Sequence, residues 1–220
     1  MKNQIRKSVV CLVIGAMLVA SGCSSKESRY TVGTVANTHG TDISDSYSEM
    51  TTTEDLSHDP STNRVLSKRF GQFDMAQGWV EVDEHSTDPY YYTYVYDGTA
   101  EYEYPNNITV YASICDYQLD ESVKLKQDIL DSLNQQASEK KIDVEITDSS
   151  IITESGMTVL CFNMVKDTNR TIQYYILGEK QYVMVSVSIY DEEQAKNDRS
   201  EEVALAIVNS FVWSENGIGI

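Results

Sequence analysis

The chain predicts an α+β domain, a mainly antiparallel sheet with helices packed on its faces, and three observations carry that prediction. Strand-like runs come in consecutive groups joined by short turns. Two stretches switch from a period of two to helical spacing. From about Val65 to Trp213 no second linker interrupts the globular pattern. Short connections favour antiparallel pairing, because a parallel crossover needs a dozen residues or more.

The elements follow in order. Phe70–Asp74 and Trp79–Glu84 are predicted strands joined by a turn at Gly78. Tyr90–Asp97 is strongly β in composition and ends at the turn signal Asp97-Gly98. In Ile108–Asp116 the residues Ile108, Val110, Ala112 and Ile114 alternate with Thr109, Tyr111, Ser113 and Cys115, which gives a strand with two distinct faces. Asp120 then offers an N-cap, and Val123, Leu125, Ile129, Leu130, Leu133 and Ala137 recur at helical spacing until Lys140-Lys141. Strands are predicted over Glu145–Thr153, Met157–Val165, Thr171–Leu177 and Tyr182–Tyr190. Asp191 opens a last helix in which Val203, Ala206, Ile207, Ser210 and Phe211 form a one-sided stripe.

The first 22 residues have a different logic. Lys2, Arg6 and Lys7 form a basic start, and the uncharged run Val9–Ala20 follows. As a helix that run spans roughly 18 Å, short of the roughly 30 Å hydrocarbon core, so it reads as an export signal rather than a span. Val19-Ala20-Ser21-Gly22-Cys23 resembles a bacterial lipobox, which implies cleavage before Cys23, fatty acylation there and anchoring at the outer face of the cell membrane. The expected organisation is a lipoprotein signal peptide over 1–22, a lipidated cysteine and disordered tether over 23–63, the α+β domain over 64–215 and a tail over 216–220. The tether is rich in Ser, Thr, Asp and Gly and has no period, so it cannot bury enough apolar area to offset chain entropy.

Composition narrows the function. Losing residues 1–22 removes three basic residues and no acidic one, taking the formal charge from −17 to −20. That surface repels phosphate, so nucleic acid is not an expected partner. Two cysteines remain in the domain, Cys115 and Cys161, and two readings of them stay open, buried free thiols or one bridge formed after export. No metal-ligand spacing, nucleophile motif or glycine-rich phosphate loop is present, and His39, His58 and His85 fall in linker or turn sequence. No metal, cofactor or enzyme activity is expected.

Nine of the 15 tyrosines lie between Tyr90 and Tyr117. In an extended strand Tyr90, Tyr92, Tyr94 and Tyr96 share a face, and Tyr102 and Tyr104 fall on a possible partner strand. One reading packs this row under a helix. The other makes it a recognition surface, since tyrosine offers large contact area at little entropic cost.

The run Phe73-Asp-Met-Ala-Gln-Gly78-Trp79, the order of elements and Asn209-Ser210-Phe211 in a closing helix resemble the Mog1/PsbP-like fold. The resemblance covers roughly residues 65–214 and implies the same α+β arrangement. The functional expectation is a lipid-anchored, extracytoplasmic, non-catalytic module that binds or scaffolds another envelope protein. The alternative is a small-molecule or glycan binder using the 90–104 tyrosines.

Overall fold

The computed structural model describes residues 63–82, 88–99 and 102–218. The expected signal peptide and tether, Cys23, and the three histidines lie outside the described residues. In chain order the elements are β1 (Arg64–Lys68), β2 (Gly71–Met75), β3 (Trp79–Glu81), β4 (Tyr91–Tyr96), a 3-10 turn (Asp97–Thr99) and β5 (Asn107–Ile114). A second 3-10 turn (Leu119–Glu121) leads into α1 (Ser122–Lys140). Then come β6 (Glu145–Ile152), β7 (Thr158–Lys166), β8 (Asn169–Gly178), β9 (Gln181–Ile189), α2 (Glu192–Asp198), α3 (Ser200–Ser210) and β10 (Val212–Trp213).

Seven strands form one antiparallel sheet in the order β3-β4-β5-β9-β8-β7-β6. Three short strands form a second sheet in the order β1-β2-β10. The expected α+β arrangement is what the chain adopts. The alternation of side chains splits the large sheet into two faces. Ile108, Val110, Ile176, Val185 and Val187 pack with Phe70, Phe73 and Met75 of the small-sheet region and with Val203, Ile207 and Phe211 at α3. On the opposite face Leu160, Phe162, Tyr175, Leu177 and Met184 pack with Leu125, Ile129 and Leu133 of α1. The sheet is therefore the middle layer of three.

The two faces differ in chemistry. Toward α1 the pairing register sets Thr93, Thr109, Ser186 and Gln173 side by side across β4, β5, β9 and β8. Gln173 is buried and accepts a 3.1 Å hydrogen bond from the Tyr175 hydroxyl. Toward α3 the same strands present apolar side chains.

Several sequence expectations need correction. Tyr102 and Tyr104 lie in an irregular segment, and β4 pairs instead with β3 and β5. Val123 is 79% exposed, because within α1 it lies two residues before the buried Leu125, about 200° around the helix and so on the opposite face. The last helix is two helices, broken at Arg199 with φ of 57°. β1 and β10 were not anticipated. Residues 216–218, expected to trail as a tail, are tied down: Ile218 N donates to Gln181 Oε1 (2.9 Å), and the Tyr90 hydroxyl donates to Ile218 O (3.0 Å). Cys115 and Cys161 are buried free thiols that pack in the cores on opposite faces of the sheet.

Candidate functional site

The tyrosine row is divided by the fold. β4 directs Tyr92, Tyr94 and Tyr96 toward the α3 side. There Phe73 meets Tyr94 edge-on at 6.2 Å between ring centroids, and Trp79 meets Tyr96 edge-on at 6.3 Å. Tyr94 is 0% exposed, so it is a core residue and is removed from any binding surface. Burial, reinforced by the Glu81 carboxylate, holds its hydroxyl well above the ordinary tyrosine range. Tyr90 and Tyr92 are half-buried and donate to backbone carbonyls, Tyr92 to Pro89 O at 2.9 Å. The Lys68 ammonium lies 3.8 Å from the Tyr92 ring centroid and 2.6 Å from Glu81 Oε2, a cation held between a ring and a carboxylate. Tyr102 and Tyr104 are exposed, at 54% and 39%. The six tyrosines thus form no continuous outer face, but Tyr96 and Tyr102 line a pocket of about 330 Å³ that opens to solvent.

One wall of that pocket is the turn after β4. Asp97 N donates to Gly78 O (2.8 Å), and the Thr99 hydroxyl donates to Tyr96 O (2.9 Å), folding Gly98 and Thr99 back over the strand end. Gly78 has φ of +85°, and a Cβ there would sit 2.6 Å from the Tyr96 ring. Only glycine meets both demands. The close contact fixes where Tyr96 lies.

The other wall is α2, held at both ends. Asn106 is fully buried. Its Oδ1 accepts from Tyr190 N (2.8 Å) and Asp191 N (3.1 Å), and its Nδ2 donates to Asp191 O (2.9 Å). This one amide fastens the β9–α2 junction to the entry of β5. Asp191 caps the helix, its Oδ1 accepting from Glu193 N and Gln194 N at 2.9 and 3.0 Å. At the far end Trp79 Nε1 donates to Asp198 O (3.3 Å), tying α2 to the core. Asp198 Oδ1 also accepts from both the amide (2.9 Å) and the hydroxyl of Ser200, which carries the chain across the break into α3.

Spacing of one and four then aligns Glu193 with Asn197 and Gln194 with Asp198 on the face of α2 toward the pocket, and all four line it. Gln194 and Asp198 are only 8% and 5% exposed, and Gln194 Nε2 and Asp198 Oδ2 have no hydrogen-bond partner among the described residues. Burial raises the Asp198 pKa, and the Asp191 charge adds to the shift, while the hydrogen bonds from Ser200 and the proximity of the Asn106 amide oppose it. Among the described residues no Lys or Arg lines the pocket. The nearby guanidinium of Arg170 is occupied by Glu192 and Glu201, and that of Arg199 by Glu202. Among the described residues no group of three or more His, Cys, Asp or Glu is arranged to hold a metal ion. Carboxylates and two tyrosine rings therefore line the pocket, and two of its lining side chains each carry a buried polar atom without a partner among the described residues.

The sequence places Asp191 at a helix start, as observed, but does not single out Gln194, Asn197 and Asp198. The available signal was the polar run Lys196-Asn-Asp-Arg-Ser200, which interrupts the apolar pattern between Ala195 and Val203.

No protein-family model matches this sequence, and no curated protein matches it. Among solved structures the chain is similar to the solution structure of cyanobacterial PsbP (CyanoP) from Synechocystis sp. PCC 6803. The identity is 12% and the TM-score 0.48, over 70% of this chain and 93% of that one. The likeness is one of backbone arrangement, and nothing about ligand or partner is taken from it.

Proposed function

We propose that this protein is an extracytoplasmic lipoprotein, anchored through lipid on Cys23, whose α+β domain is a non-catalytic module that docks another envelope protein at the pocket between the 97–99 turn and α2. The observation that carries the docking site is the pair of buried, unpartnered atoms, Gln194 Nε2 and Asp198 Oδ2, on side chains lining an open pocket. A polar atom left unpaired costs about 1–3 kcal/mol, and pairing it in a complex recovers that cost at the moment of binding. Anchoring rests on the sequence around Cys23. With a charge of −20 the mature chain gains nothing from an anionic lipid surface, so the acyl chains supply the membrane affinity.

The two halves have separate tests. Cys23→Ala is expected to leave the membrane fraction and lose acyl labelling; unchanged labelling contradicts the anchor. A photo-crosslinking residue at Asn197 is expected to give a discrete adduct with an envelope protein in living cells, whereas one at Thr147 on exposed β6 gives none. Identical patterns at both positions contradict the pocket as the docking site.

A further inference from the structure

We propose that the pocket receives the side-chain ammonium of a lysine presented by a partner polypeptide, an inference that rests on the docking reading above and names its chemistry. The molecule already contains the same chemistry in satisfied form. One face of β4 carries both Tyr92, whose ring lies 3.8 Å from Lys68 Nζ beside the Glu81 carboxylate, and Tyr96, which helps line the pocket. At the pocket, tyrosine rings and carboxylates recur with no cation among the described residues that line it. Tyr96 and Tyr102 supply the rings, and Glu193 and Asp198 supply carboxylates not committed to a basic side chain.

The acceptor inventory of the buried Asp198 separates lysine from arginine, whereas the exposed Glu193 discriminates neither cation. A guanidinium prefers both oxygens of one carboxylate in a planar fork, whereas an ammonium is a point charge that a single oxygen accepts. Asp198 offers one oxygen, because Oδ1 is taken by the amide and hydroxyl of Ser200. Gln194 Nε2 separates a peptide from a free amine. It is a donor and gains nothing from an ammonium, so its partner must be an acceptor, which a peptide carbonyl beside the lysine provides. A metal ion fits less well, since no metal-holding cluster exists among the described residues.

The test is a titration of the full chain followed by amide resonances of Gly98, Thr99, Gln194 and Asn197. The probes are N-acetyl-lysine methylamide, its norleucine and arginine counterparts, and cadaverine. The lysine probe is expected to shift these resonances saturably. The norleucine probe should not, and the arginine probe and cadaverine should bind at least about fivefold more weakly. Glu193→Gln changes an exposed carboxylate, so the fold is expected to persist, and it should weaken lysine binding several-fold. Asp198→Asn should weaken it further, roughly tenfold, which corresponds to about 1.4 kcal/mol. Equal binding of norleucine or arginine, undiminished binding in the folded variants, or no lysine binding overturns the proposal. Cadaverine binding as tightly as lysine overturns the peptide assignment. An Asn197 crosslink persisting without lysine binding would leave docking standing and remove only the ammonium. Loss of both would remove the site.

Discussion

α2 and α3 are consecutive helices separated by one left-handed residue, yet they are built on opposite terms. α3 turns Val203, Ala204, Ile207 and Val208 into the apolar core, and Phe211 follows at its end. Its last turn is tied to the small sheet, where Asp74 N donates to Ser210 Oγ at 2.9 Å. Gly71 lets β10 come close, since a Cβ there would meet the Val212 carbonyl oxygen and sit 2.7 Å from the Phe211 ring. α2 buries Gln194 and Asp198 instead, leaving one polar atom of each unpaired. One helix is packed for stability; the other carries unpaired polar groups at a cost. In the proposed docking those unpaired groups serve binding rather than folding.

The largest expected effect is on the α3 side. Phe211 is 1% exposed and stacks near Phe70 and Trp213, with ring centroids 6.3 and 5.0 Å away. Phe211→Ala should cost about 3–5 kcal/mol in urea unfolding. A loss below about 1 kcal/mol would erase the contrast between the helices.

Asn106→Ala is expected to cost about 2–3 kcal/mol. It orphans the amides of Tyr190 and Asp191 and the Asp191 carbonyl at a fully buried position. The same variant should broaden the amide resonances of α2 more than those of α3. Equal broadening would mean that the two helices are held as one unit.

The smallest stability effect belongs to Asp198→Asn, and its sign is the informative part. Burial raises the folded-state pKa of this carboxyl above its ordinary 3.8, so the native state binds the proton more tightly than the unfolded chain. Its unfavourable contribution is absent below the ordinary value and grows as pH rises through the raised one. The variant keeps an oxygen to accept from Ser200. It should therefore gain on the parent chain as pH rises from about 4 toward neutrality, with stability followed by thermal melts. A gap that narrows with rising pH would contradict the raised pKa.

Legibility in the sequence follows the same division. The strands and α1 could be read because a burial requirement writes a period into the chain, as in Ile108–Ile114 and in Leu125, Ile129 and Leu133. The α3 stripe was visible for the same reason. The break at Arg199 was not, because neither glycine nor proline marks it and its cause is a side chain, Asp198, accepting from Ser200. β1 and β10 were missed because they are short and their partners are remote in sequence; Val212 pairs with Gln72. Of the candidate binding tyrosines marked by composition, Tyr96 and Tyr102 line the pocket proposed as the docking site. Composition could not say which face α3 covers, and that coverage places Tyr94 in the core. The acidic wall carried no signature, since Glu193 and Asp198 look like any other carboxylates in a chain with 34 of them.

The central claim is that the polar face of α2 serves a ligand rather than the fold, and urea unfolding with and without N-acetyl-lysine methylamide tests it directly. A ligand bound only by the native state adds about 1.4 kcal/mol at ten times its Kd. At neutral pH the parent chain should be stabilised in this way. Asp198→Asn should be at least as stable as the parent without the probe and gain little with it. An Asp198→Asn chain that loses about 2 kcal/mol or more without the probe, or is stabilised by it as fully as the parent, would contradict the claim.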